Sequence, residues 1–193
     1  MKDLLPQILA YVSSPFRLFA IVVMAILTFA GYFVLQNQEM MFSAYKKSKE
    51  LPTMNFNRYD DASNLLFKST NADLVVIFSV NTILGTRVVE RAYLPDKRYK
   101  EFDEYDVGLF TKNIANNNDI IKLMADEIPC SEYPKAQSEI GLWYKATGIN
   151  YTCRISVSPK NNKFIGQITV GWKEKPSDPE AMLMIASSML ARK

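Results

Sequence analysis

The sequence predicts an α+β fold: one N-terminal transmembrane helix, then a domain built on an antiparallel sheet flanked by helices. Three observations carry that reading. Leu18–Leu35 runs LFAIVVMAILTFAGYFVL without one charge, in a chain that is 22% charged. Behind it, apolar runs of strand length come as two pairs, each joined by a short turn. Segments of helical periodicity precede, separate and follow those pairs, an order that fits a sheet with helices on one side.

Residues 1–15 form a short leader. Leu4, Leu5, Ile8, Leu9 and Val12 recur at helical spacing, while Lys2, Asp3 and Gln7 fall opposite. Such an amphipathic piece suits the plane of a membrane interface, and a short apolar tail reads the same way. Residues 16–36 are the span. Roughly 18 residues of helix rise about 27 Å, close to a hydrocarbon core of about 30 Å, and Phe16 and Gln36 complete the crossing. In lipid every backbone polar group needs an internal partner, so a lone segment there is helical. Phe16 and Arg17 at one end and Tyr32 near the other are the candidate interfacial anchors. Ala25, Thr28 and Gly31 set small side chains along one slowly drifting face, which lets spans approach closely. They are the candidate assembly residues, although small residues in a passive tether read the same way.

An export signal competes for the same run. Signal cores are about 7–15 residues long and end at small residues. A cut after Ala44 would leave bulky Phe42 two places before the last residue removed, so the run reads as an uncleaved anchor. Lys2 and Arg17 precede it, and Lys46, Lys47 and Lys49 follow it, so charge alone does not choose an orientation. Both cysteines, Cys130 and Cys153, follow the span. A disulfide in an oxidising compartment fits that placement and closes a loop worth about 3 kcal/mol. Two free buried cysteines fit it as well.

Residues 37–57 continue as an exit helix and linker, with Pro52 ending the helix. Residues 58–193 are the folded head. Asp60 or Asp61 caps a helix reaching about Ser69. Ala72–Val80 and Thr86–Leu94 are strands of a hairpin joined through NTILG. KRYKEFDEYD (Lys97–Asp106) reads as a solvated charged loop, and Asp119–Glu127 as a helix stopped ahead of Pro129. Ser131–Gly148 has a weak pattern, with helix between Pro134 and Lys145. Tyr151–Ser158 and Lys163–Trp172 are strands around a PKNNK turn. Pro179–Arg192 closes the chain as a helix with Met182, Ile185, Ala186, Met189 and Leu190 on one side.

Composition excludes several functions. The chain has no histidine, which removes the commonest general base and the usual nucleophile pairs and zinc sets. Its 7 glycines form no phosphate-cradling motif. A net charge of +3, with no basic run interleaved with aromatics, argues against a nucleic-acid binder. The acidic residues Glu101, Asp103, Glu104 and Asp106 lack calcium-loop spacing and are neutralised by Lys97, Arg98 and Lys100. No catalytic residue, metal or cofactor is expected, and Trp143 and Trp172 read as core.

The layout of the head resembles the PAS-like domains of many extracytoplasmic modules. Shorter patches carry a second resemblance. Tyr151-Thr-Cys153, the run Gly166-Gln-Ile168-Thr169-Val-Gly-Trp172 and a terminal helix ending MLARK resemble the C-terminal region of holins of T-even-type bacteriophages. FSAYKKSKE (Phe42–Glu50) is similar to the exit helix of that family, and Ala62–Val80 is similar in layout. The resemblance implies a homo-oligomer in the host inner membrane, single-pass, with its N-terminus cytoplasmic and its head periplasmic. It implies timed lesions in the lipid bilayer that release an endolysin to the wall, hence host cell lysis. It also implies that the head binds an antiholin that delays lysis. In the family, the cysteine matching Cys153 pairs with one in the final helix. Here that helix, around Leu183 and Met184, has none, so the bridge either moves to Cys130–Cys153 or is absent.

A binding module is the alternative: a single-span periplasmic sensor or scaffold that does not permeabilise the membrane. Only about 15 residues precede the span, too few for a cytoplasmic output domain, so such a sensor needs a partner.

Overall fold

The computed structural model describes residues 15–40, 43, 53–158 and 163–191. The chain divides into two compact units, Met1–Leu51 and Pro52–Lys193.

In the first unit, α1 (Pro15–Gln36) is a 22-residue helix with no buried residue, long and apolar enough by length and composition to cross a membrane. Pro15 opens it, at a position where no backbone N–H is required. The Thr28 hydroxyl donates to the Met24 carbonyl at 2.8 Å, so its polar group is satisfied inside the helix. The expected amphipathic leader, ahead of Pro15, lies outside the described residues. So does most of the exit helix, of which residues 38–40 and 43 are helical.

The second unit is a six-stranded antiparallel sheet in the order β3-β2-β1-β6-β5-β4. Its strands are β1 (Leu74–Asn81), β2 (Thr86–Leu94), β3 (Lys97–Tyr99), β4 (Cys130–Glu132), β5 (Tyr151–Val157) and β6 (Gly166–Trp172). The central pair joins segments far apart in sequence, with Leu74 opposite Gly171 and Ser79 opposite Gly166. Both strands are covered on both faces, which is why LVVIF in β1 reads as a continuous apolar run.

Four helices pack around the sheet: α2 (Tyr59–Thr70), α3 (Ile114–Met124), α4 (Glu139–Ala146) and α5 (Glu180–Ala191). On the first face Val75, Ile77, Ile155, Ile168 and Val170 meet Leu66 of α2 and Leu183, Ala186 and Leu190 of α5. Trp172 belongs to this core, and its indole N–H donates to the Thr70 carbonyl at the end of α2, 2.9 Å. On the second face Leu74, Val76, Phe78, Val89 and Ala92 meet Ile140 and Tyr144 of α4, together with Tyr133 and Ile149.

Helices on one side only were therefore too few. The sheet is covered on both faces because α4, although short, buries its apolar stripe against the second one. Ser138 caps α4 by accepting from the Gly141 N–H at 3.2 Å. The charged stretch Lys97–Asp106 also differs from a solvated loop. It holds β3 and a short 3-10 turn (Lys100–Phe102), and its aromatics turn inward. Tyr99 and Phe102 lie 5.0 and 5.2 Å, centroid to centroid, from Trp143. Burial of those rings outweighs solvation of their charged neighbours. Trp143 is half-buried in this aromatic stack rather than deep in the core. Helix α3 begins at Ile114, earlier than periodicity suggests, because Asn113 caps it from outside by accepting from the Asn116 N–H. The PKNNK turn falls mostly outside the described residues.

Candidate functional site

The second face of the sheet holds a polar interior, and a strand irregularity places its first member. Along β1 and β2, Val76 faces Ala92 and Ile77 faces Arg91, but Phe78 faces Val89, leaving Glu90 as an extra residue. Such a bulge reverses the inside–outside alternation of the bulged strand. Ala92 points to the second face before it, and Val89 and Arg87 point there after it. The Arg87 side chain consequently enters the interior, and the residue is only 4% exposed.

Arg87 Nη1 donates to Gln167 Oε1 at 3.2 Å and Nη2 to Asn116 Oδ1 at 3.1 Å. Its guanidinium carbon lies 5.5 Å from the centroid of the Phe78 ring. Its Nε is buried and has no hydrogen-bond partner. Arg154, from β5, is 5% exposed in the same interior. Its Nη2 donates to Gln137 Oε1 at 2.9 Å, and its Nη1 sits 2.7 Å from Asp119 Oδ2 of α3. That second contact is an ion pair by distance, off the angle of a hydrogen bond. Gln167 completes the mesh by donating from Nε2 to Thr169 Oγ1 at 2.7 Å. Tyr133, Ser138, Ile140 and Tyr144 close the remaining walls.

Two guanidinium groups thus share this interior with one carboxylate in direct contact, that of Asp119. A second carboxylate, Asp106, accepts the Arg87 backbone N–H at 3.2 Å. Burial, followed by repulsion from Arg154, brings the Arg87 guanidinium down to about 10. Burial also pushes the Tyr144 phenol well above its ordinary value, so it stays protonated. The space left among these groups is about 10 Å³, enough for a single water-sized occupant. The chemistry on offer is hydrogen-bond donation from two buried guanidinium groups, of which only Arg154 has a carboxylate against its side chain. Among the described residues, no three His, Cys, Asp or Glu side chains are placed to hold a metal ion.

Outside this interior, a shallow groove of about 330 Å³ lies between α2 and the β2–β3 connection, lined by Asp60, Asn64, Phe67, Tyr93, Asp96 and Arg98. Tyr93 donates to Asp60 Oδ1 across it at 2.6 Å. At the β1–β2 turn Ile83 and Leu84 are 75% and 71% exposed. The Leu109 N–H donates to the Gly85 carbonyl at 2.9 Å, which sets exposed Phe110 beside that turn.

The residues singled out from sequence have separate fates. Cys130 and Cys153 face each other across β4 and β5 and are joined as a disulfide. Ala25, Thr28 and Gly31 are exposed on α1, and a side chain added at Gly31 would meet nothing within 4 Å. Phe16, Arg17 and Tyr32 are likewise exposed on α1. None of these belongs to the polar interior. Arg87, Asn116, Arg154 and Gln167 escaped sequence reasoning. The available hint was a lone arginine inside each of two β-branched runs, TRVVE and TCRIS.

No protein-family model and no curated protein matches the chain. Solved structures do match. The GAF domain of a two-component sensor histidine kinase from Bacillus halodurans is similar over 69% of this chain and 90% of that one, with a TM-score of 0.51 and 15% identity. A GAF domain/HD domain protein from Geobacter sulfurreducens is similar over 67% of this chain and 84% of that one, at a TM-score of 0.49 and 13% identity. The first likeness shows the fold: the head is an α+β domain that resembles a GAF domain, a PAS-like layout.

Proposed function

We propose that this chain is a single-span membrane protein whose head is a binding module for another protein, and that it acts as a holin of the T-even type. The observation that carries the binding-module part is the packed interior. On the second face of the sheet this head has arginine, glutamine and tyrosine side chains and about 10 Å³ of space. A ligand of ordinary size needs some hundreds of Å³. Recognition is left to the outer surface, where Ile83, Leu84 and Phe110 expose apolar area suited to a macromolecular partner.

The holin part is supported by the sequence patches. Tyr151–Cys153 lies in β5, Gly166–Trp172 is β6, and Ala62–Val80 supplies most of α2 and β1. These three strands are neighbours in the sheet, in the order β1-β6-β5. In this reading α1 crosses the inner membrane, with the N-terminus cytoplasmic and the head periplasmic. Copies associate through Ala25, Thr28 and Gly31, and above a critical density they open lesions that pass the endolysin. The head docks an antiholin and so sets the timing, in a compartment that keeps the Cys130–Cys153 bridge oxidised.

The second reading is a sensor or scaffold that leaves the membrane sealed. The likeness of the head to the GAF domain of a sensor histidine kinase favours it. One experiment separates the two. The chain is expressed in a bacterium together with a cytoplasmic wall-degrading enzyme, and culture turbidity is followed. Abrupt lysis at a set time, advanced by depolarising the membrane, is the holin outcome. Growth that merely slows, with the enzyme retained in the cytoplasm, assigns the chain to the second reading.

A further inference from the structure

We propose that the interior between Arg87 and Arg154 is a binding site for a monovalent anion of chloride size. The proposal stands apart from the function of the whole chain, because it rests on charge and geometry inside the head.

Arg87 is 4% and Arg154 5% exposed, so neither reaches bulk counterions. Arg154 has a carboxylate in contact, Asp119 Oδ2 at 2.7 Å. Arg87 has only neutral side-chain partners, the amide oxygens of Gln167 and Asn116. A buried cation left to neutral partners is costly, and an added anion removes that cost. Arg87 Nε is buried without a hydrogen-bond partner, so the guanidinium is not fully satisfied by its neutral neighbours. The space beside them, about 10 Å³, has room for one small ion and too little for phosphate, sulfate or an organic acid. Tyr133, Tyr144 and Ser138 on the walls add hydroxyl groups able to donate. Asp106 and Asp119 are the negative groups facing the site, and both are already engaged, by the Arg87 backbone N–H and by Arg154.

The test uses the full chain in a non-ionic detergent. Its thermal midpoint is read by near-ultraviolet circular dichroism while sodium chloride replaces sodium gluconate at constant ionic strength. An ion bound only by the folded head raises the midpoint with the logarithm of its concentration once the site fills. We expect that rise with chloride and with bromide, and a flat response for Arg87→Met. Arg58→Met, which removes an exposed ion pair with Asp61, keeps the full response. A midpoint independent of chloride in the unaltered chain overturns the proposal, and so does a full response in Arg87→Met. Should Arg87→Met fail to fold, chlorine-35 line broadening on the unaltered chain decides. Excess broadening displaced by bromide sustains the site, and its absence refutes it.

Discussion

Cys130 and Cys153 stand directly opposite each other in the β4–β5 register, their Cα atoms 4.0 Å apart and their sulfurs bonded. Cys153 is fully buried beneath α5, whereas Cys130 sits on the short edge strand. The bridge therefore ties an edge of three residues to the core, a task that β4 hydrogen bonds alone perform weakly. Its sequence separation of 23 sets the chain entropy that it removes from the unfolded state.

Cys130→Ser combined with Cys153→Ser should lower stability by about 3 kcal/mol. Reductant added to the unaltered chain should do the same. Urea unfolding of the detergent-solubilised chain, with and without reductant, measures both. A double variant as stable as the parent would show that the bridge does not stabilise the head.

Gly166 opens β6 opposite Ser79 of β1. A Cβ there would sit 2.9 Å from the Phe78 carbonyl oxygen and would also collide with the Met54 sulfur. Methionine can swing aside, but the strand carbonyl cannot. Gly166→Ala should cost about 1–3 kcal/mol, as overpacking does, and Met54→Ala should not rescue it. Paired unfolding curves of the single and double variants check this.

Alkaline pH should unfold the head. Burial, aided by Glu90, holds the Tyr59 phenol above its ordinary value of 10.0. Burial and the hydrogen bond to Asp60 do the same for Tyr93, and burial for Tyr133 and Tyr144. For each, the unfolded chain releases its proton first, so stability is complete below pH 10 and falls as pH climbs beyond it. Arg87, lowered to about 10, works in the opposite direction over the same window, but it is one group against four. Phenolate absorbance should appear in two phases, exposed tyrosines first and these four only with loss of the fold. A single phase at ordinary pH would contradict the burial.

Thr28→Asp and Gly31→Asp each add a charge to α1 where the small residues lie. A charge at mid-span costs about 2.5–3.5 kcal/mol on insertion scales and less toward the helix end where Gly31 lies, so span association and lysis timing should both shift, more for Thr28→Asp. Gly31→Leu adds bulk without charge into open space and should change timing through packing alone. Turbidity records with a co-expressed wall-degrading enzyme give the trigger time. Unaltered timing across all three variants would reduce the helix to a tether.

Much of the architecture was readable because local signals agreed with it. Thr86–Leu94 matches β2 residue for residue, and the strand that opens at Tyr151 ends one residue early, at Val157. The closing helix runs Glu180–Ala191 within the expected Pro179–Arg192. The errors cluster in segments whose burial depends on a distant partner. KRYKEFDEYD looked like solvent because its charges outnumber its rings, yet Trp143, far along the chain, gives Tyr99 and Phe102 a surface to bury against. The start of α3 was hidden by polar Asn116, Asn117 and Asn118. Asn116 is drawn inward by a hydrogen bond from Arg87, a residue 29 positions away.

The order of the four longer strands and of the helices around them, the uninterrupted apolar run of α1 and the composition that denies histidine chemistry follow from the chain read by itself, because periodicity and absence are local properties; the three-residue edge strands β3 and β4 do not. The pairing of β1 with β6, the covering of both sheet faces and the polar interior follow only from tertiary contacts. One extra residue at Glu90 reverses the alternation of β2 and turns Arg87 from solvent into the head. A bulge is a mismatch between two strands, so neither strand's sequence contains it.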